Sequence, residues 1–177
     1  MRTVTLFYFL LLAYTNFSCQ EISYKETQPA GKKSLSIIPK AIQGSYLLVD
    51  TKDNSTDTLF VDASGYFAAS DRKKKTLGDS LQIKFYKGYY FVNVNESPEW
   101  LLRIVKVDKN GDLELMSMPS EEKKFAELLK KLSKDVQIDS INLNNEKLYQ
   151  IDPKPKQLMN LLHKGYFSER VNMKKLR

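Results

Sequence analysis

Leu81-Gln82-Ile83-Lys84-Phe85-Tyr86, then Lys87-Gly88, then Tyr89-Tyr90-Phe91-Val92-Asn93-Val94, reads as two strands joined by a two-residue turn. Pairing Tyr86 with Tyr89 and Phe85 with Tyr90 gives one face of Leu81, Ile83, Phe85, Tyr90, Val92 and Val94, apolar apart from one hydroxyl. The other face carries Gln82, Lys84, Tyr86, Tyr89, Phe91 and Asn93. Strand side chains alternate with a period of two, so a one-residue slip would mix the faces and the register is well specified.

The pattern continues on both sides. Downstream, Trp100 to Val107 and Asp112 to Met118 form a second pair. A three-residue loop, Lys109-Asn110-Gly111 with the glycine left-handed, sets Val107 opposite Leu113 and Val105 opposite Leu115. Upstream, Gly44 to Asp50 opens the body as a strand, and Thr51 to Asp57 is a polar loop. Thr58–Asp62 and Tyr66–Ala69 then flank Ala63-Ser64-Gly65, where a positive φ is expected at the glycine.

Beyond Met118 the period changes. Ser120 is the expected N-cap of a helix whose buried stripe is Phe125, Leu128, Leu129 and Leu132, with Glu121 and Glu122 at the positive end of its dipole. Val136–Ile138 and Lys147–Ile151 read as short strands. A second helix opens around Asp152-Pro153-Lys154-Pro155, turns Leu158, Leu161 and Leu162 inward, and stops at Gly165. The fold class is therefore α+β: an antiparallel β meander of about six to eight strands, with two helices in the C-terminal half packed on the sheet or capping it.

The N-terminus has a different grammar. Arg2 precedes the apolar run Val4 to Ala13, then come Tyr14-Thr15-Asn16-Phe17-Ser18 and the single cysteine, Cys19. This is the n-region, h-region and processing site of an export signal, and the run is too short to span a bilayer, which takes about 20 apolar residues. The stretch resembles the signal of Gram-negative bacterial envelope lipoproteins. That resemblance covers residues 1–19 and implies that Cys19 is diacylated on sulfur and becomes the new N-terminus. Ser18 matches the small residue expected before the cysteine, while Asn16 and Phe17 depart from the strict box. The alternatives are an uncleaved membrane anchor and ordinary secretion, for which a cut after Ser18 would leave Asn16, and a cut after Cys19 would leave Phe17, where a small residue is wanted. Two acyl chains hold a protein stably on a membrane at about 0.8 kcal/mol per buried CH₂.

The resulting organisation is a signal peptide over 1–18, a flexible tether over 19–36, one α+β domain over 37–167 and a basic tail over 168–177. As a coil the tether would hold the body about 20–25 Å from the anchor. The chain carries a net charge of +7, concentrated in Arg72-Lys73-Lys74-Lys75 and Lys174-Lys175-Leu176-Arg177. These runs are solvated loop and tail, or surfaces attracted to anionic headgroups or polysaccharide. An exported chain argues against nucleic acid as a partner.

Recognisable catalytic signatures are missing. The one histidine, His163, falls in the last turn of the second helix, where a cation favours the dipole. There is no H-E-x-x-H, C-x-x-C, G-x-S-x-G or glycine-rich phosphate loop. Asp108 to Glu114 imitates the start of a calcium loop, but the position that needs a bidentate Glu is Pro119. No metal and no cofactor is expected other than covalent lipid on Cys19. The expected function is a non-enzymatic binding or assembly module, lipid-anchored in the cell envelope at the outer membrane. Tyr86, Tyr89, Phe91 and Trp100 form the candidate binding patch for a protein, glycan or lipid; they are core if helices cover that face and surface if they do not. Two alternatives stand beside this. The meander opening at Gly44-Ser45-Tyr46 resembles small lipocalin-like lipoproteins, which implies a carrier of a hydrophobic ligand. Carboxylates brought together in space would instead imply an envelope hydrolase.

Overall fold

The computed structural model describes residues 20–49, 56–97, 99–143 and 146–176. Its strands are β1 (Ile22–Tyr24), β2 (Gly44–Val49), β3 (Thr56–Val61), β4 (Gly65–Ala68), β5 (Lys75–Thr76), β6 (Leu81–Tyr86), β7 (Tyr89–Glu96), β8 (Glu99–Val107), β9 (Leu113–Ser117), β10 (Asp139–Leu143), β11 (Glu146–Ile151) and β12 (Glu169–Lys175). Helix α1 (Glu122–Leu132) follows β9, and α2 (Pro155–His163) follows β11. The fold is α+β, with all the described strands in one sheet and mostly antiparallel. The parallel exception is β1 beside β11.

The central hairpin has the predicted register, Tyr86 opposite Tyr89 and Phe85 opposite Tyr90. Its turn residues are both left-handed, Lys87 at φ 49° and Gly88 at φ 84°, as a tight turn matching strand twist requires. The second hairpin pairs Val107 with Leu113 and Val105 with Leu115. Gly111 takes the left-handed position at φ 84°, and the Asp108 carboxylate accepts from the Asn110 and Asp112 amides.

Two apolar cores lie on opposite faces of β6–β7–β8. Inside the curl of the sheet, Leu81, Ile83, Val105, Leu113 and Met173 meet Tyr46, Ile42 and Ile38. On the outer face, Phe91, Leu102, Ile104 and Met116 meet Ile22 and Tyr24 and are covered by Phe125, Leu128 and Leu132 of α1 and by Leu158, Leu161 and Leu162 of α2. Residues 34–38 bridge the two margins of the curl. The Leu35 amide donates to the Ile83 carbonyl at 2.7 Å, and the Ile38 amide to the Ala63 carbonyl at 2.9 Å.

Several expectations change. There are twelve described strands, because β1, β5, β10 and β12 are too short or too polar to show a period. Residues 19–36 are not a flexible tether over their described part: β1 pairs with β11 and β8, and Ile22, Ser23 and Tyr24 are buried. Residues 168–177 are not a free tail over their described part, since β12 lies between β9 and β2 with only Met173 of the strand buried. The domain therefore extends beyond 37–167 at both ends. The strand expected at Val136–Ile138 starts instead at Asp139, and α1 begins one residue later than a Ser120 cap would have it, with Glu121 at the cap. Gly65 is not left-handed. It is needed because a Cβ there would sit 2.1 Å from the Lys75 carbonyl oxygen and 2.9 Å from the Thr76 Cα.

Those contacts are with backbone, which cannot swing aside. Gly65→Ala is therefore expected to part β5 from β4 and lower stability by about 1–3 kcal/mol, read as a lower urea midpoint.

Candidate functional site

The hairpin register puts Tyr86, Tyr89 and Phe91 on the outer face, as the alternation requires. The helices cover that face. Phe91 is fully buried, and Tyr86, Tyr89 and Trp100 are half-buried against the same core. The expected patch of Tyr86, Tyr89, Phe91 and Trp100 is therefore largely core, for the packing reason that an apolar face opposite two amphipathic helices is the surface they bury. Phe85 keeps the face the register gives it, opposite Tyr90, and at the end of β6 is 52 % exposed, its ring 4.8 Å from that of Tyr90.

Further down the outer face the hairpin presents Lys84 and Asn93, which are polar and nonetheless buried. Both are used to hold the N-terminal segment. The Gln28 amide donates to Asn93 Oδ1 at 2.6 Å, and Asn93 Nδ2 donates back to the Gln28 carbonyl at 2.8 Å, as a neighbouring strand would. Lys84 Nζ donates to the carbonyls of Thr27 at 2.7 Å and Pro29 at 3.1 Å. Burial pushes the Lys84 ammonium below the usual lysine range, with the charge of Glu26 opposing. A buried polar group with its bonds made fixes geometry, and one left unpaired is costly.

Upstream, Arg103 on β8 grips Glu21 through both guanidinium nitrogens. The pair is only partly exposed, and the two-pronged geometry holds direction as well as charge. Tyr24 is buried beside it, and burial raises its phenol far above the ordinary value. Residues 1–18 and Cys19 lie outside the described residues, but only Gln20 separates Cys19 from Glu21.

A second polar cluster lies where α1 and α2 end. Tyr166 Oη donates to the Asp135 carboxylate at 2.6 Å, Lys164 Nζ donates to the same carboxylate at 2.6 Å, and Gln157 Nε2 donates to the Asp135 carbonyl at 2.6 Å. Burial, and then the bond to Asp135, push the Tyr166 phenol up to about 12. The bonds from Lys164 and Tyr166 hold the Asp135 carboxyl below the usual carboxylate range. These shifts favour a neutral phenol and an ionised carboxylate, which is a clasp between the helices. His163 is exposed at the end of α2. Among the described residues no group of three or more His, Cys, Asp or Glu side chains could hold a metal. Glu99 Oε2 is buried with no hydrogen-bond partner, an isolated carboxylate oxygen at the start of β8.

Reading the sequence missed the Lys84–Asn93 clasp and the Glu21–Arg103 pair. The available signal was the polar pair Lys84 and Asn93 within an otherwise aromatic strand face.

Asn93→Ala is expected to cost about 1–3 kcal/mol, with amide exchange accelerating over 22–31 while α2 keeps its protection. For the helix clasp the signs are opposite at the two extremes. Tyr166, raised from 10.0, contributes fully below that pH and loses its contribution as pH climbs through about 12. Asp135, lowered from 3.8, contributes above that value and loses its contribution as pH falls through its depressed one. The gap in urea midpoint between the native chain and Tyr166→Phe should therefore be flat from about pH 5 to 9 and close on either side. Comparison with protein-family models, with curated proteins and with solved structures finds no match to this chain.

Proposed function

We propose that this chain is a lipoprotein of the cell envelope, acylated on Cys19 and seated directly against the outer membrane, where it works as a non-enzymatic binding or assembly module. The observation that carries the reading is the joining of two features. A short export-type apolar run ends at the lone cysteine, and two residues later the chain is gripped by Arg103 and enters the sheet. Successive Cα atoms are about 3.8 Å apart, so Cys19 lies within about 7.6 Å of Glu21, measured between Cα atoms. An acyl anchor there holds the folded body at the membrane with no spacer.

The non-enzymatic part rests on the chemistry of the polar clusters. Lys84, Asn93, Arg103 and Asp135 are each engaged in holding backbone or a partner charge. A module of this kind acts through its surface and its location. The close packing of Ile38, Tyr46, Leu81, Ile83, Val105 and Met173 inside the curl supports a module over a carrier, which would keep that volume for its ligand.

The test is the mass of the mature N-terminus. The expected result is a chain starting at Cys19 with diacylglycerol and, in the full modification, an N-linked acyl chain, sedimenting with membranes. Cys19→Ala should lose the added mass and the membrane association together. An unmodified terminus downstream of Cys19, released into the medium, would sink the anchoring claim.

A further inference from the structure

We infer that the tip of the β6–β7 hairpin is a second membrane contact, seated in the anionic headgroup layer of the bilayer that holds Cys19. The inference rests on the lipoprotein reading above and adds to it the surface that meets the lipid.

Direction comes from the strand register. β1 runs antiparallel to β8 with Tyr24 opposite Trp100, so stepping back from Tyr24 to Glu21 follows β8 forward from Trp100 to Arg103. Two residues further along β8, Val105 pairs with Tyr90, next to the hairpin turn. Glu21 and the turn therefore lie toward the same end of β8. At about 3.3 Å per residue, the Lys87-Gly88 turn reaches about 15 Å beyond the Glu21–Arg103 pair. Cys19 reaches at most about 7.6 Å beyond Glu21. A bilayer close enough to receive acyl chains on Cys19 is close enough to meet the turn.

The chemistry of the tip suits that place. Phe85 is 52 % exposed, a large apolar ring left open to solvent at the end of the apolar strand face. Tyr90 packs on it, and Tyr86 lies beside it on the outer face. Two ammonium groups flank the Tyr86 ring, Lys32 at 4.8 Å and Lys87 at 5.7 Å from its centre. Residues 84–90 contain no acid. Aromatic rings at headgroup depth with lysines reaching toward phosphates are the usual composition of a membrane-water interface. Each cation near an anionic surface adds attraction that decays over a Debye length, which fits an anionic rather than a zwitterionic bilayer. Lys87 also holds a left-handed backbone, where asparagine would be the easier residue.

The experiment uses the full chain, processed and purified in detergent, then reconstituted into vesicles of phosphatidylethanolamine and phosphatidylglycerol. With Cys19 acylated, Phe85→Cys supplies the only thiol for a nitroxide label, and Lys73→Cys, exposed between β4 and β5, supplies the reference. The label at 85 should lose most of its accessibility to a water-soluble relaxation agent while the label at 73 keeps it. Adding Lys32→Glu and Lys87→Glu to the Phe85→Cys chain should return the label to water with the protein still on the vesicles. The N-terminal mass is read on the same sample. An acylated, vesicle-bound protein whose label at 85 is as wet as that at 73 overturns the tip contact alone, as does a label unmoved by the charge reversal. An unacylated Cys19 overturns the anchoring reading, and the tip contact with it.

Discussion

β8 is packed on both of its faces, and the rest of the molecule is arranged around that demand. Leu102 and Ile104 point to the helices while Val105 and Val107 point into the curl. A strand buried twice needs apolar residues at nearly every position and a cover on each side. One cover is supplied by the sheet bending round until β2, β3 and β4 meet β6 across Ile38 and Tyr46. The other is supplied by α1 and α2, whose leucines project from one stripe each. Neither cover could form without the other strands fixing the register of β8 from both edges, β7 along one and β1 with β9 along the other.

The N-terminal segment completes this arrangement by polar means. It has too few apolar residues to be drawn in by burial alone, with Ile22 and Tyr24 the principal contributors. What holds it further along is a set of charged and amide side chains offering bonds to its backbone: Asn93 to Gln28, and Lys84 to Thr27 and Pro29. Such bonds stabilise modestly but penalise any other placement heavily, since each alternative leaves a buried donor or acceptor unmade. The segment is therefore specific in position.

The two hairpins, their registers and the leucine stripes of both helices were legible because each has a period repeated over five or more residues. Gln82, Lys84 and Asn93 were legible only as polar interruptions. Nothing near them in sequence says that residues 27–29 lie on top of them. Phe85 lies on the face the alternation gave it, but alternation says nothing of whether the partner layer extends to the end of the strand, and its ring is left exposed. β12 was unreadable for a related reason: Val171 is half-exposed and Met173 is its one buried side chain, so its place depends on backbone pairing offered by β9 and β2.

By itself the sequence determined the class of fold, the pairing of the central strands and the faces of the helices, all properties carried by close neighbours along the chain. The tertiary structure alone decided that the stretch after the cysteine is part of the sheet, that the outer aromatic face is core, and that the exposed ring at the hairpin is Phe85. Each of those depends on a contact between segments distant in sequence, such as Glu21 with Arg103 or Gln28 with Asn93, where one partner carries no trace of the other. Local periodicity records which way a side chain points, and only the assembled chain decides what it meets there.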